Sequence, residues 1–243
     1  MKKYKILIIF CLVLIIAAGG LWYVKNNASK NKDKEKTAFS TGFTMLDDEK
    51  YLVWTEAVQL SPEARAQYEK KIIEVKADLA VQTGKDDRLA DFNNLAIYEN
   101  YLGNYRQSYD AYIESLKLED QSRITWQNFA DVLLKMKAYK SAEFSYKKSI
   151  ELNKYIPESY VKLANYYQAT GDDNKVEETY KTAVVTIKDS SESDTLILRD
   201  CADWLANKER YDEAIKILRE LMAKQPFNKE AIEREIEQLS KLK

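Results

Sequence analysis

The sequence predicts an all-α protein: a superhelical solenoid of helical hairpins, preceded by one N-terminal membrane-spanning helix. Three observations predict it. Only 6 glycines and 3 prolines interrupt 243 residues, so helix breakers are scarce. A pattern of large, small and aromatic residues recurs every 34 residues between 89 and 228, the mark of stacked repeats. Residues 6–24 form a run of nineteen without a charge, at 1.5 Å per residue about 28 Å of helix, close to the thickness of a bilayer's hydrocarbon core.

That run is read as an anchor occupying 1–24. Lys2, Lys3 and Lys5 precede it, and Trp22 and Tyr23 fall where an interfacial aromatic belt would sit. A cleaved signal peptide is the alternative reading, with an apolar region at 6–16 and small residues Ala17 to Gly20 before the cut, leaving a secreted protein. Against it, Leu21 to Val24 continue the apolar run. The short basic start favours a body outside the cytoplasm, although lysines also follow the span at 25, 30, 32, 34 and 36. Residues 25–45 are polar and show no helical stripe, so they read as a flexible tether.

Residues 46–88 fit no repeat register and are expected to form an irregular helical hairpin. Ser61 and Pro62 suit a helix start. Tyr68, Ile72, Val75 and Leu79 then make one apolar stripe.

The repeats follow, as units 89–122, 123–156, 157–190 and, after four extra residues, 195–228. Their fourth positions hold Phe92, Trp126, Tyr160 and Leu198, and their seventh Leu95, Phe129, Leu163 and Cys201. These large residues lie one turn apart on one face of a first helix. Alanine fills every eighth position, at 96, 130, 164 and 202, where a second helix must approach closely. Ser108, Ala142, Val176 and Ala214 keep the twentieth position slim. Tyr112, Tyr146, Tyr180 and Leu218 fill space between units at the twenty-fourth. Gly103 and Gly171 fall where each first helix should end in a left-handed cap. Residues 229–243 read as a terminal helix with a charged outer face, as repeat arrays need for solubility.

The runs "FNNLAIYENYLGNYRQSYDAYIESL", "WQNFADVLLKMKAYKSAEFSYKKSI", "YVKLANYYQATGDDNKVEETYKTAV" and "LRDCADWLANKERYDEAIKILREL" resemble the tetratricopeptide repeat family, here as a membrane-anchored protein of bacterial type. Departures are Lys137 and Glu209 at the turn glycine, Glu99 at an apolar position and a single proline, Pro226, at the repeat-end position.

The resemblance implies a protein-binding scaffold, not an enzyme, whose concave face is built from the first helices. The groove positions are Asn93, Asn94, Ile97 and Tyr101, then Gln127, Asn128, Asp131 and Lys135. Val161, Lys162, Asn165 and Gln168 follow, then Arg199, Asp200 and Asp203. Asparagine and glutamine amides suit a peptide backbone. Lys162 and Arg199 add positive charge, which points to a client segment of acidic or polar character. The family's clamp for a terminal carboxylate is not expected: its positions carry Asn93, Ile97, Asn128, Glu158 and Lys162, of which only Asn128 and Lys162 fit.

Composition narrows the rest. The chain has no histidine, which removes the commonest general base and most transition-metal sites. No phosphate-cradling glycine loop exists, and no cofactor is expected. Cys11 lies in the apolar run and Cys201 at a core position, so neither a disulfide framework nor a nucleophile is expected. Residues 1–36 carry +6, which leaves −7 on the remainder. An acidic body counts against nucleic acid, which needs a basic stripe. The expected partners are a protein or peptide client and the membrane, with a self-associating structural component of a membrane complex as the alternative, a homo-oligomer.

Overall fold

Each repeat unit places an alanine and a second small residue where two helices cross. In the computed structural model, which describes residues 43–188 and 193–242, these positions are among the most buried. Ala96, Ala130, Ala164 and Ala202 are at most 1 % exposed, and Ser108, Ala142, Val176 and Ala214 are fully buried. A larger side chain there would push the paired helices apart. The chain divides into two units, Met1–Thr44 and Met45–Lys243. All ten α-helices among the described residues belong to the second. The expected membrane helix at 6–24 and most of the expected tether lie outside the described residues. Among the described helices none is long and apolar enough to cross a membrane.

The helices are α1 Pro62–Val81, α2 Lys85–Tyr101, α3 Tyr105–Leu118, α4 Arg123–Lys135, α5 Tyr139–Leu152, α6 Pro157–Thr170, α7 Asp173–Lys188, α8 Thr195–Asn207, α9 Tyr211–Lys224 and α10 Lys229–Ser240. From α2 to α9 they pair as four antiparallel hairpins, each second helix also touching the first helix of the next hairpin. Among the described residues successive first helices α2, α4, α6 and α8 touch one another. This places them on the inner wall of a curved stack, with α3, α5, α7 and α9 outside. Tyr112, Tyr146, Tyr180 and Leu218, at most 2 % exposed, fill the space inside each layer.

The hairpin turns repeat in geometry even where the residue changes. Gly103 and Gly171 have φ of 77°, and Lys137 and Glu209, which stand in the glycine's place, have φ of 61° and 59°. At every turn the next residue's N–H reaches five residues back, Asn104 to Glu99, Ala138 to Leu133, Asp172 to Tyr167 and Arg210 to Leu205, at 2.8–2.9 Å. This is the Schellman closure of a helix end. Packing thus imposes the left-handed turn on Lys137 and Glu209, at about 1–2 kcal/mol each.

The hairpin expected over 46–88 is not there. Only α1 is helical in 46–81, apart from a single 3-10 turn at Glu49–Tyr51. Residues 45–60 instead run as an extended strap along the edge formed by the hairpin turns. The Val53 N–H donates to the Met136 carbonyl at 2.9 Å, and the Glu56 N–H to the Gly103 carbonyl at 3.0 Å. The Trp54 carbonyl accepts from Arg106 N at 3.0 Å. The Asp47 carboxylate accepts from Lys140 N at 3.2 Å and Ser141 N at 2.9 Å. The reason is local: Asn104 and Ala138, the residues just before α3 and α5, do not cap those helices with a side chain. Their unsatisfied first-turn N–H groups are partnered from the strap. In the third hairpin Asp172 does this itself, accepting from Lys175 N.

Glu99, the departure from an apolar repeat position, is 3 % exposed. Its carboxylate accepts from Lys76 of α1 at 2.9 Å and from Asn104 at 2.8 Å. The buried acid therefore ties α1 to the first repeat and to its turn. At the other end, α10 begins 34 residues after α8. Its Ile232 falls at the fourth repeat position and is 3 % exposed, packed with Leu198, Ala202, Leu218 and Leu221. The terminal helix is the first helix of a fifth, half-finished unit, and its outer face is charged.

Candidate peptide-binding groove

The inner wall is built from α2, α4, α6 and α8, and the structure sorts the groove positions into two classes. Asn94 is exposed and Asn128 half-exposed. Neither amide has a hydrogen-bond partner among the described residues, so each keeps its full donor and acceptor capacity. Asn165 is exposed and accepts only from Gln168, at 3.3 Å. Ile97 and Val161 are half-buried between them.

The remaining positions bind one another. Asn93 donates to the Leu89 carbonyl and accepts from Thr125. Gln127 accepts from Arg123 at 3.0 Å. Tyr101 is 47 % exposed but stacks on Tyr68 of α1, with ring centroids 4.9 Å apart. Lys135 donates to Asn100 at 2.9 Å. Asp131 accepts from Tyr146 at 2.5 Å and from Lys162 at 2.8 Å. Arg199 meets Glu235 of α10 at 2.5–2.6 Å and Asp203 at 3.0 Å. Asp200 accepts from Tyr180 at 2.6 Å.

One expectation changes as a result. Lys162 and Arg199 are not free positive charges offered to a client, because Asp131 neutralises one and Glu235 with Asp203 the other. The groove cation without an ion-pair partner among the described residues is Lys135, at the first-repeat end. There Glu56 to Leu60 of the strap, Asn100, Tyr101, Tyr105 and Lys135 line a cleft of about 330 Å3. Tyr105 donates to Glu56 in its wall at 2.5 Å, and burial pushes this phenol up to about 12. The strap's part in this end of the groove was not readable from periodicity, since 45–60 has none. The usable signal was negative: a β-branched, aromatic stretch outside the repeat register.

Burial also raises the Asp200 carboxyl above the usual range, and the Tyr146 and Tyr180 phenols far above theirs. These groups are structural struts between layers. Burial first, then the charge of Asp200, pushes the Cys201 thiol up to about 12, which leaves it protonated and unreactive. Among the described residues no group of three or more acids or cysteines is placed to hold a metal.

The tetratricopeptide repeat family model matches residues 125–155, which is the second hairpin and its turn. That stretch is similar to a tetratricopeptide repeat. The chain's fold agrees: the crystal structure of MamA superposes with a TM-score of 0.52 at 16 % identity, over 70 % of this chain and 97 % of that one. A tetratricopeptide repeat protein from Parabacteroides merdae superposes with the same score at 13 % identity, over 74 % of this chain and 73 % of that one. At such identities the likeness is one of fold alone. No curated protein sequence matches the chain. At the hairpin turns Lys137 and Glu209 keep the left-handed geometry that Gly103 and Gly171 adopt.

Proposed function

We propose that this protein is a membrane-tethered adaptor that holds an extended protein or peptide segment in the groove of its tetratricopeptide repeats. One observation carries the reading. Asn94 and Asn128 occupy the same repeat position in neighbouring units, reach solvent on the inner wall, and are unpartnered among the described residues, while nearly every polar neighbour is spent on internal bonds. Repeating amides one helix layer apart match the repeating donors and acceptors of an extended backbone. Because Lys162 and Arg199 are neutralised, the client is recognised mainly through its backbone and uncharged side chains.

The test is the double substitution Asn94→Ala with Asn128→Ala. Capture of the client, found first by crosslinking in intact membranes, should weaken at least tenfold, about 1.4 kcal/mol. The fold should move by less than about 0.5 kcal/mol in thermal melting, since neither side chain is buried or hydrogen-bonded within the described residues. Undiminished capture by the folded double variant would place the client elsewhere. A charge reversal at Lys162 would not isolate the groove, because it sets a second carboxylate against Asp131 and disturbs Tyr146 with it.

The tether rests on the uncharged run at 6–24, and the short basic start supports a body outside the cytoplasm. The full-length protein should stay with membranes through a carbonate wash and keep its original N-terminus. Release of a mature chain beginning near Gly20 or Leu21 would replace the anchor with an export signal.

A further inference from the structure

The outer wall carries a cleft and a side chain that match. Between α5 and α7, with α6 as its floor, lies an opening of about 280 Å3, lined by Ile150, Tyr160, Leu163 and Tyr167 and rimmed by Glu178 and Thr182. It arises from two sequence changes. At the junction of the first two repeats the equivalent space holds Trp126 and Phe144 in edge contact, 6.0 Å between centroids. One unit later Tyr160 and Glu178 stand in their places. Tyr160 is smaller and its hydroxyl is held by the Lys154 carbonyl at 2.9 Å, while Glu178 is exposed. The volume is below that of most small-molecule sites and suits one aromatic ring.

The same chain presents such a ring. Phe227 is 100 % exposed. It sits on a short 3-10 turn, Pro226–Asn228, between α9 and α10. The turn is fixed by the proline and by two bonds from Asn228 to Gln225, at 3.0 Å from its backbone and 3.2 Å from its side chain. Because the turn's backbone is already constrained, docking the ring orders little more than its own side chain. Charge also fits: the two lysines on the cleft's rim, Lys147 and Lys175, are paired with Glu143 at 2.8 and 3.5 Å, whereas Glu178 has no basic partner among the described residues, and Lys229, two residues after Phe227, has only a loose pair with Glu233 at 3.6 Å.

We propose that Phe227 of one molecule inserts into the α5–α7 cleft of a second, with Lys229 facing Glu178, so that copies of this chain associate through two different surfaces. The contact is small and therefore weak and concentration-dependent. It leaves the inner groove open to a client.

Sedimentation equilibrium of the full-length protein in density-matched detergent tests this. The wild-type mass should rise with protein concentration. Phe227→Asp and Thr182→Trp, the latter blocking the mouth of the cleft, should each shift association to at least tenfold higher concentration, with melting unchanged because both positions are exposed. An equimolar mixture of the two variants should associate again, since an intact Phe227 then meets an intact cleft. A wild-type mass that stays monomeric at all concentrations would overturn the proposal. So would variants that associate like the wild type, or a mixture that fails to recover.

Discussion

Trp126→Ala should cost about 3–5 kcal/mol, the range for emptying a large buried aromatic site. The side chain is 3 % exposed and lies where the first two hairpins meet. It packs edge-on against Phe144 and at a tilt against Phe129. Its indole N–H donates at 2.6 Å to the carbonyl of Asp120, in the linker from the first repeat. The substitution therefore leaves a cavity and strips an acceptor of its partner. Because stacked repeats share their interfaces, the damage should not stay local. Trp54 in the strap and Trp204 in the fourth repeat can report the two ends separately once Trp22 and the other of the pair are replaced by phenylalanine. Both should lose their folded signal at lower urea in the variant. A loss below about 1 kcal/mol would mean that this ring does not hold the junction.

The 34-residue period of the sequence carries the hairpins because each repeat position has one physical task. Alanine at the eighth position and tyrosine or leucine at the twenty-fourth say where helices cross and what fills the gap. The left-handed turns at Lys137 and Glu209 were hidden, since packing overrides the preference of the residue there. The strap was hidden for a different reason. Its bonds join Val53, Trp54 and Glu56 to backbone groups of turns roughly 50 to 80 residues away, and no local pattern encodes a backbone acceptor. The pairing of the groove charges did leave a trace. Lys162 and Asp131 stand 31 residues apart, Arg199 and Glu235 36, and Lys85 and Glu119 34. In a repeat array, opposite charges about one period apart are neighbours on adjacent layers, so a groove cation should be checked against residues one period away before it is assigned to a client.

Gly103→Ala should be far more damaging than Gly171→Ala, although the two glycines share a repeat position and a φ of 77°. At Gly171 an added methyl group meets nothing within 4 Å. The cost there is that of a left-handed alanine, about 1–2 kcal/mol. At Gly103 the same methyl would stand 2.1 Å from the Glu56 carbonyl oxygen and 2.8 Å from a Val58 methyl. The obstacle is backbone, so the strap itself must move. Moving it breaks the Glu56 to Gly103 bond and the Arg106 to Trp54 bond, each worth about 0.5–1.5 kcal/mol net, and lifts Trp54 from Tyr109 and from the Arg106 guanidinium. The expected excess over Gly171→Ala is about 2–3 kcal/mol from these losses together. Hydrogen exchange separates this from general destabilisation. The N–H groups of Val53, Glu56 and Arg106 should exchange faster by a larger factor than that of Phe129 in the core of the second repeat. Equal costs for the two glycines, with unchanged protection along 53–56, would mean that the strap is not bound to the turn edge. The first-repeat end of the groove, whose wall is made by Glu56 to Leu60, would then be open.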